Sequence, residues 1–476
     1  VKLFQKITTK EHLLAAFEQV KEKWFDPQQE YYAVQAAGID GLSLQEFEKN
    51  LDAGLEACRD FLIHPGKDFY PQILTLIPKK DPGKFREIYL MTVRDKVIHK
   101  AIAGLLEGAL DRHFYPNLYA FRRGKYYGSM AAARKVRKIL QEAEGKCYVL
   151  KADISEYFDS IDPQILLAQF REYLPEEREI HAHLERFVHQ RRLVKGILHS
   201  PIRGVPTGSS LSPLSANLYL NELDREMFRR GFQYLRYCDD LLLLSPDRRE
   251  IEAGRKIIED VLHRHRLKLA PQKTFLYGPH QTFDYLGYQF ADGGVHVGDK
   301  SIQTFREWIQ DILPRNRYRD FSRETPEQRK ELLRKIIIDL NTGKLTESGR
   351  GSVDKHQIPW IRSFPVVNHD RRFKEMDRFL KNRIRMLITG RTSAKNYQLV
   401  PEAWFRELGY KSLTGAFYRF VRRRSLAPYF GWRRYFGSNL LELGTSGKKK
   451  STSLGRKLRQ WKEQIQFFKK AIRGEI

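Results

Sequence analysis

The stretch YLRYCDDLLLL, Tyr234 to Leu244, sets two adjacent carboxylates inside an otherwise apolar run. It predicts two short strands and a turn. The unbroken Leu241-Leu242-Leu243-Leu244 predicts a strand buried on both faces, where polar alternation is lost. Asp239 and Asp240 then have two readings. They form a surface hairpin tip, since Asp is common in turns, or they end a buried hairpin and need a cation or hydrogen bonds, because burying an unpaired charge costs roughly several kcal/mol. The leucine run favours the second, and with it a metal site.

The same patterns organise the rest of the chain. TTKEHLLAAFEQVKEKW and SLQEFEKNLDAGLEACRDFL each open with Thr or Ser followed three residues later by Glu, a capping-box spacing that predicts a helix start. Residues 73–90 predict two strands joined by a Pro/Gly turn at Asp81-Pro82-Gly83. Helical periodicity follows from about 92 to 142. CYVLKADISEYFDSID predicts a strand running into a turn, after which Asp162-Pro163 caps a new helix. From about 300 the chain reads mostly helical, interrupted by a polar stretch, 342–358.

Composition narrows the class. A chain of 476 residues with 41% hydrophobic content buries a large core and is expected to form more than one domain. It has no run of eighteen apolar residues, and the opening VKLFQKITTKEHLL lacks the apolar stretch of a signal peptide, so a soluble cytoplasmic protein with no membrane partner is expected. Cys58, Cys147 and Cys238 are far apart, which suggests neither a zinc site nor a disulfide framework. Cys238 reads as a packing residue.

Charge changes the picture more. Of the net +27, residues 301–476 hold 40 Lys+Arg against 17 Asp+Glu, leaving 45 against 41 for the first 300 residues. Such density answers a polyanion, and the aromatics interleaved in AFYRFVRRRSLAPYFGWRRYFG suit nucleic acid. Asp153, at the end of the apolar strand Cys147–Ala152, stands 86 residues before Asp239. With the Asp239-Asp240 pair it makes a candidate three-carboxylate site for two hard cations, and oxygen ligands with phosphate substrates select magnesium. In-line attack on phosphorus is the chemistry such a site serves.

On these residues the chain resembles the reverse transcriptases. Tyr237-Cys238-Asp239-Asp240 is similar to their Tyr-x-Asp-Asp signature. IPKKDPGKFREI resembles the fingers motif, YAFRRGK the template-side motif that follows it, and KADISEYFDSI palm motif A. GVPTGSSLSPLSANLYLNELD resembles motif B, APQKTF motif D, and DYLGYQF the primer grip. AGIDGLSLQEFEKNL resembles the N-terminal extension of group II intron-type bacterial members, and IPWIRSFPVV with ELGYKSLTGAFYRFV their helical thumb.

The resemblance implies an α+β right hand: an N-terminal helical extension (1–65), fingers (66–145), a palm with an antiparallel sheet and primer grip (146–300), a basic helical thumb (301–445), and a linker with a C-terminal amphipathic helix (446–476). It implies that Asp153 and Asp239 ligate two Mg2+ ions with Asp240 in support, that Lys273 gives a proton to the leaving pyrophosphate, and that Lys79 and Arg86 clamp the triphosphate. Phe158 takes the place where the family sets an aromatic ring against a ribose 2′-hydroxyl, which favours dNTPs. Thr207 stands where most relatives have Gln, while Gly204 and Gly208 allow close backbone approach to template and nucleotide. Arg122, Arg123, Tyr237, Leu286, Gly287, Arg422, Arg423 and Arg424 are implied to hold template and primer, an RNA–DNA hybrid.

Two further patterns carry less. His181 and His183 do not share a helix face, which argues against a metal pair. Leu454, Leu458, Trp461, Ile465, Phe468 and Ile472 form an apolar seam that packs on the thumb or self-associates into a homo-oligomer. The biological reading by family analogy is a free-standing bacterial enzyme copying a structured noncoding RNA in antiphage defence. The alternatives are a group II intron maturase, an RNA-binding splicing cofactor, or a group II-like repair polymerase.

Overall fold

The computed structural model describes residues 2–26, 31–32, 38–64, 66–78, 85–291, 294–313, 323–342 and 364–423. The turn Asp81-Pro82-Gly83, the polar stretch from 343, and the C-terminal seam from Leu454 lie outside them.

At the centre is a four-stranded antiparallel sheet, ordered Phe275–Tyr277, Tyr148–Asp153, Asp240–Ser245, Gln233–Tyr237. The leucine run forms its inner strand, and the two faces of that strand enter different cores. Leu241 and Leu243 belong to the core that holds Phe170, Leu184 and Ile258; Leu242 and Leu244 belong to the core that holds Phe283, Tyr285 and Phe290. All four are essentially inaccessible, which is why polar alternation vanishes from the sequence here. Each contributes about 1.5–3 kcal/mol by leaving water, and Leu242→Ala is expected to cost about 2–5 kcal/mol once its cavity is included. The helix Arg248–Arg264 lies so close to the sheet that a Cβ on Gly254 would stand 2.5 Å from Leu243 Cδ2.

Two further sheets, one of four strands and one of three, accompany the central one. The fingers sheet runs Phe85–Leu90, Gln72–Pro78, Arg192–Val194, Ile197–His199, with a parallel pairing where Gln72 and Ile73 meet Arg192 and Leu193. The grip sheet is Phe283–Tyr285, Tyr288–Ala291, Gly294–Val297. The helices Asp299–Ile312, Pro326–Thr342 and Leu413–Arg423 pack around Arg371–Thr389 to form the thumb. The arrangement is the right hand that the resemblance implied.

The N-terminal helices Lys10–Trp24 and Leu51–Ile63 pack on Val93–Asp111, and one apolar core runs unbroken from Ile7 to Leu267. Of the two expected capping boxes, the one at Ser43 forms: Glu46 N–H donates to Ser43 Oγ at 3.2 Å and Ser43 N–H to Glu46 Oε2 at 2.8 Å. The other is displaced. Thr9, not Thr8, receives the His12 N–H at 3.3 Å, while the Thr8 hydroxyl turns back to Gln5 O of the preceding short helix. Asp162 caps as expected, accepting from Gln164 N and Ile165 N with Pro163 in the first helical turn. Among the described residues no helix is long and apolar enough to cross a membrane.

Candidate active site

Antiparallel pairing brings the acidic residues together. Asp153 ends its strand directly opposite Asp240, and Cys238-Asp239 form the two-residue turn closed by the pair Tyr237 and Asp240. Ile154 N–H donates to Asp239 O at 3.3 Å, and Ala270 N–H donates to Asp153 O at 2.8 Å, so three chain segments fix the sheet end. Cys238 sits at φ 60, the left-handed region, which costs a non-glycine residue about 1–2 kcal/mol. Its thiol is buried and burial pushes its pKa well up, consistent with packing and not with reactivity.

The electrostatics follow from that crowding. Burial first, then the charge of Asp239, pushes Asp240 up to about 6. Burial and the charge of Asp153 also raise Asp239. Two ammoniums answer them: the charges of Lys151 and Lys273 both oppose the rise at Asp240, and Lys273 Nζ lies 2.7 Å from Asp153 Oδ1, a hydrogen bond that raises the Lys273 pKa. Among the described residues no three His, Cys, Asp or Glu side chains stand together as a ready-made metal cage. The expected three-carboxylate site therefore exists as a shared sheet end, with an ammonium on one of its carboxylates, rather than as a closed ligand set. Its donors are all oxygen and its unrelieved charge is negative, which fits a hard divalent cation.

The nucleotide-side candidates also meet. Phe158, half-buried and edge-on to Tyr157, accepts the Val205 N–H through its carbonyl at 2.8 Å. Thr207 accepts the Tyr89 N–H at 2.9 Å, tying the motif B loop to the fingers sheet. Gly208 holds φ 116, and a Cβ there would stand 3.1 Å from Tyr89 O; at Gly204, φ 82, it would stand 2.8 Å from Asp159 Cα. Both glycines are needed by close backbone approach as well as by φ. Arg86 pairs through its backbone with Ile77, while its side chain and all of Lys79 lie outside the described residues.

The template and primer candidates divide. Leu286 and Gly287 form the tip between Tyr285 and Tyr288 at φ 50 and 84, the paired positive values of a tight hairpin turn. Tyr237 is partly buried beside Cys238 and Asp240. Arg122 is not open to a phosphate. It is 4% exposed, bonded to Asp111 and Tyr115 O, and lies 3.9 Å over the Tyr127 ring. Arg123 is exposed and pairs with Glu107. Arg422 and Arg423 end the last thumb helix, but their side chains, and Arg424 entirely, lie outside the described residues. His183 is buried with Nε2 3.0 Å from Leu62 O and His181 bonds Leu174 O, so the two histidines serve different helix packings.

Sequence reasoning missed the pair beneath the turn. Arg236 is wholly buried, and its guanidinium engages both carboxylate oxygens of buried Asp224. The signal was present: an arginine in the middle of an apolar strand needs a buried acid.

Residues 77–290 match the family described as reverse transcriptase (RNA-dependent DNA polymerase). The chain carries a reverse transcriptase domain. The match takes in the strand Phe85–Leu90, the acidic sheet end and the Leu286-Gly287 tip, and it supports RNA-directed DNA polymerase activity. Among curated proteins the chain is 23% identical over 323 residues to protein YkfC of Escherichia coli K12, covering 60% of this chain and 82% of that protein. It is 27% identical over 202 residues to the group II intron-encoded protein LtrA of Lactococcus lactis, covering 42% of this chain and only 32% of LtrA. Among solved structures, telomerase from Candida albicans aligns over 81% of this chain and 69% of that chain at 12% identity and a TM-score of 0.42, a likeness too loose to bear on function.

Proposed function

We propose that the protein extends a primer with dNTPs along an RNA template in the cytoplasm, with Asp153, Asp239 and Asp240 holding two Mg2+ ions. The observation that carries this reading is the register pairing of Asp153 with Asp240 beside the Asp239 turn, inside the reverse transcriptase match. Magnesium there would lower the pKa of the primer 3′-hydroxyl and neutralise the triphosphate. The protein's own groups do the rest. Lys273, charged and facing Asp153, supplies a proton to the leaving pyrophosphate. Phe158, Thr207 and Gly208 shape the sugar pocket, with Phe158 excluding a 2′-hydroxyl. Lys79 and Arg86 clamp the phosphates, and the Leu286-Gly287 tip bears on the primer end.

The template in this reading is a structured noncoding RNA and the setting is antiphage defence. The basic C-terminal third supports a long polyanionic partner gripped through its backbone. The similarity to LtrA supports a second reading, a maturase-type RNA-binding cofactor of group II intron splicing.

The test is to purify the protein from its native neighbourhood, sequence the co-purifying nucleic acid, and supply dNTPs or NTPs with magnesium, using Asp239→Ala as control. One defined RNA, extended as DNA by wild type alone, is the expected result. Full biological activity from a variant lacking all three carboxylates would transfer the assignment to the RNA-binding cofactor.

A further inference from the structure

Arg236 is the one charged residue in the strand Gln233–Tyr237, three positions before Asp239, and every nitrogen of its side chain has a partner. Nε donates to Asp224 Oδ1 and Oδ2 at 2.9 and 3.1 Å, and Nη2 to Oδ2 at 2.5 Å. Nη2 also donates to Asn217 O at 3.0 Å, and Nη1 points to Cys238 O at 3.4 Å. The backbone is held as firmly. Arg236 N–H donates to Asn117 O at 2.8 Å and its carbonyl accepts from Tyr119 N–H at 2.9 Å. Asn117 Nδ2 returns to Asp224 O, and Asn217 Nδ2 to Ala120 O, each at 2.9 Å.

A wholly buried ion pair is a poor stabiliser, because desolvating both charges offsets most of their attraction, and well-packed apolar pairs often do as well. What an apolar pair cannot do is hold a carbonyl. The carbonyl held here belongs to Cys238, the left-handed residue immediately before Asp239. Left to itself, a non-glycine residue leaves that conformation.

We propose that Arg236, oriented by Asp224, is a positioning residue for the polymerase reaction: it locks the Cys238 peptide and thereby sets where Asp239 presents its carboxylate to the metal ions. The inference rests on the polymerase reading above. The backbone of Arg236, through Asn117 O and Tyr119 N–H, and its guanidinium, through Asn217 whose amide donates to Ala120 O, fasten the turn to the segment leading into Phe121-Arg122-Arg123.

The test replaces the pair with apolar residues, Arg236→Met with Asp224→Leu, in the full chain. Three readouts are taken: thermal unfolding, kcat against dNTP KM, and the Mg2+ concentration giving half-maximal rate. Thermal unfolding close to wild type is expected, with kcat down about 10–100-fold, the Mg2+ requirement up about 10-fold, and dNTP KM little changed, the range seen when partners that orient metal ligands are lost. Wild-type kcat and Mg2+ requirement in the folded double variant would overturn the proposal. If that variant does not fold, Arg236→Lys decides. It keeps a positive charge for Asp224 but lacks the planar fork that reaches Cys238 O, and the same kinetic changes are expected; their absence overturns the proposal. A wild-type protein that incorporates no dNTP would instead sink the polymerase reading.

Discussion

Lys273 Nζ stands 2.7 Å from Asp153 Oδ1, the closest compensating charge at a sheet end where Asp240 is the register partner of Asp153. The ammonium is more than half exposed, so the pair adds little to stability. The role proposed for it is chemical. Lys273→Ala is expected to lower the single-turnover rate of nucleotide incorporation by about 10²-fold or more, the scale of a lost general acid, with unfolding temperature unchanged. Lys273→Arg, which holds its proton too tightly, is expected to recover only part of the rate. Rapid-quench incorporation assays check both, and an unaltered Lys273→Ala rate would remove the lysine from the mechanism.

The raised pKa of Asp240, about 6 through burial and the neighbouring Asp239, has a definite sign. A carboxyl whose folded pKa exceeds its unfolded value favours folding below about 4, and that advantage is lost as pH rises through 6. At pH 8 without metal the ionised group therefore destabilises the fold, on the order of 2–3 kcal/mol. Asp240→Asn is expected to raise the metal-free unfolding temperature at pH 8 and to leave it unchanged near pH 4. Added Mg2+ is expected to stabilise wild type at pH 8 and hardly at pH 5, where Asp240 carries a proton. Differential scanning calorimetry across pH 4–8 with and without Mg2+ decides it.

Phe158 sits half-buried with its carbonyl bound to Val205 N, so its backbone is fixed independently of its ring. Phe158→Ala is expected to reduce discrimination between dNTP and NTP by roughly 10–100-fold, since a steric contact of one side chain is worth a few kcal/mol at most. The ratio of kcat/KM for the two nucleotides is the measurement. A variant that merely loses stability, with the ratio intact, would make Phe158 an ordinary packing residue.

Leu286 occupies a left-handed conformation at the grip tip, strain of about 1 kcal/mol that Gly would relieve. Leu286→Gly is expected to keep the unfolding temperature within a few degrees, the relieved strain offsetting lost packing against the thumb-side core. Primer extension is expected to fall while dNTP KM holds, because the change touches only the primer side. Equal extension by both proteins would detach the tip from primer binding.

What the sequence by itself determined are features written in local chemistry. The leucine run names a strand covered on both sides, Ser43 with Glu46 names a helix start, and Asp153 and Asp239-Asp240 name the acidic site through their place at strand ends. These are legible because period, capping and motif order are properties of neighbours in the chain. Tertiary structure alone decided which charges face one another. Asp153 meets Lys273 across 120 residues and Arg236 meets Asp224 across a strand and a helix. Arg122, basic and inside the stretch YAFRRGK that resembles the template-side motif, is consumed by Asp111 and Tyr115 O, because a guanidinium takes whichever acceptors packing brings to it. A residue's charge is fixed by its identity, but the partner that gives the charge a use is fixed by the fold.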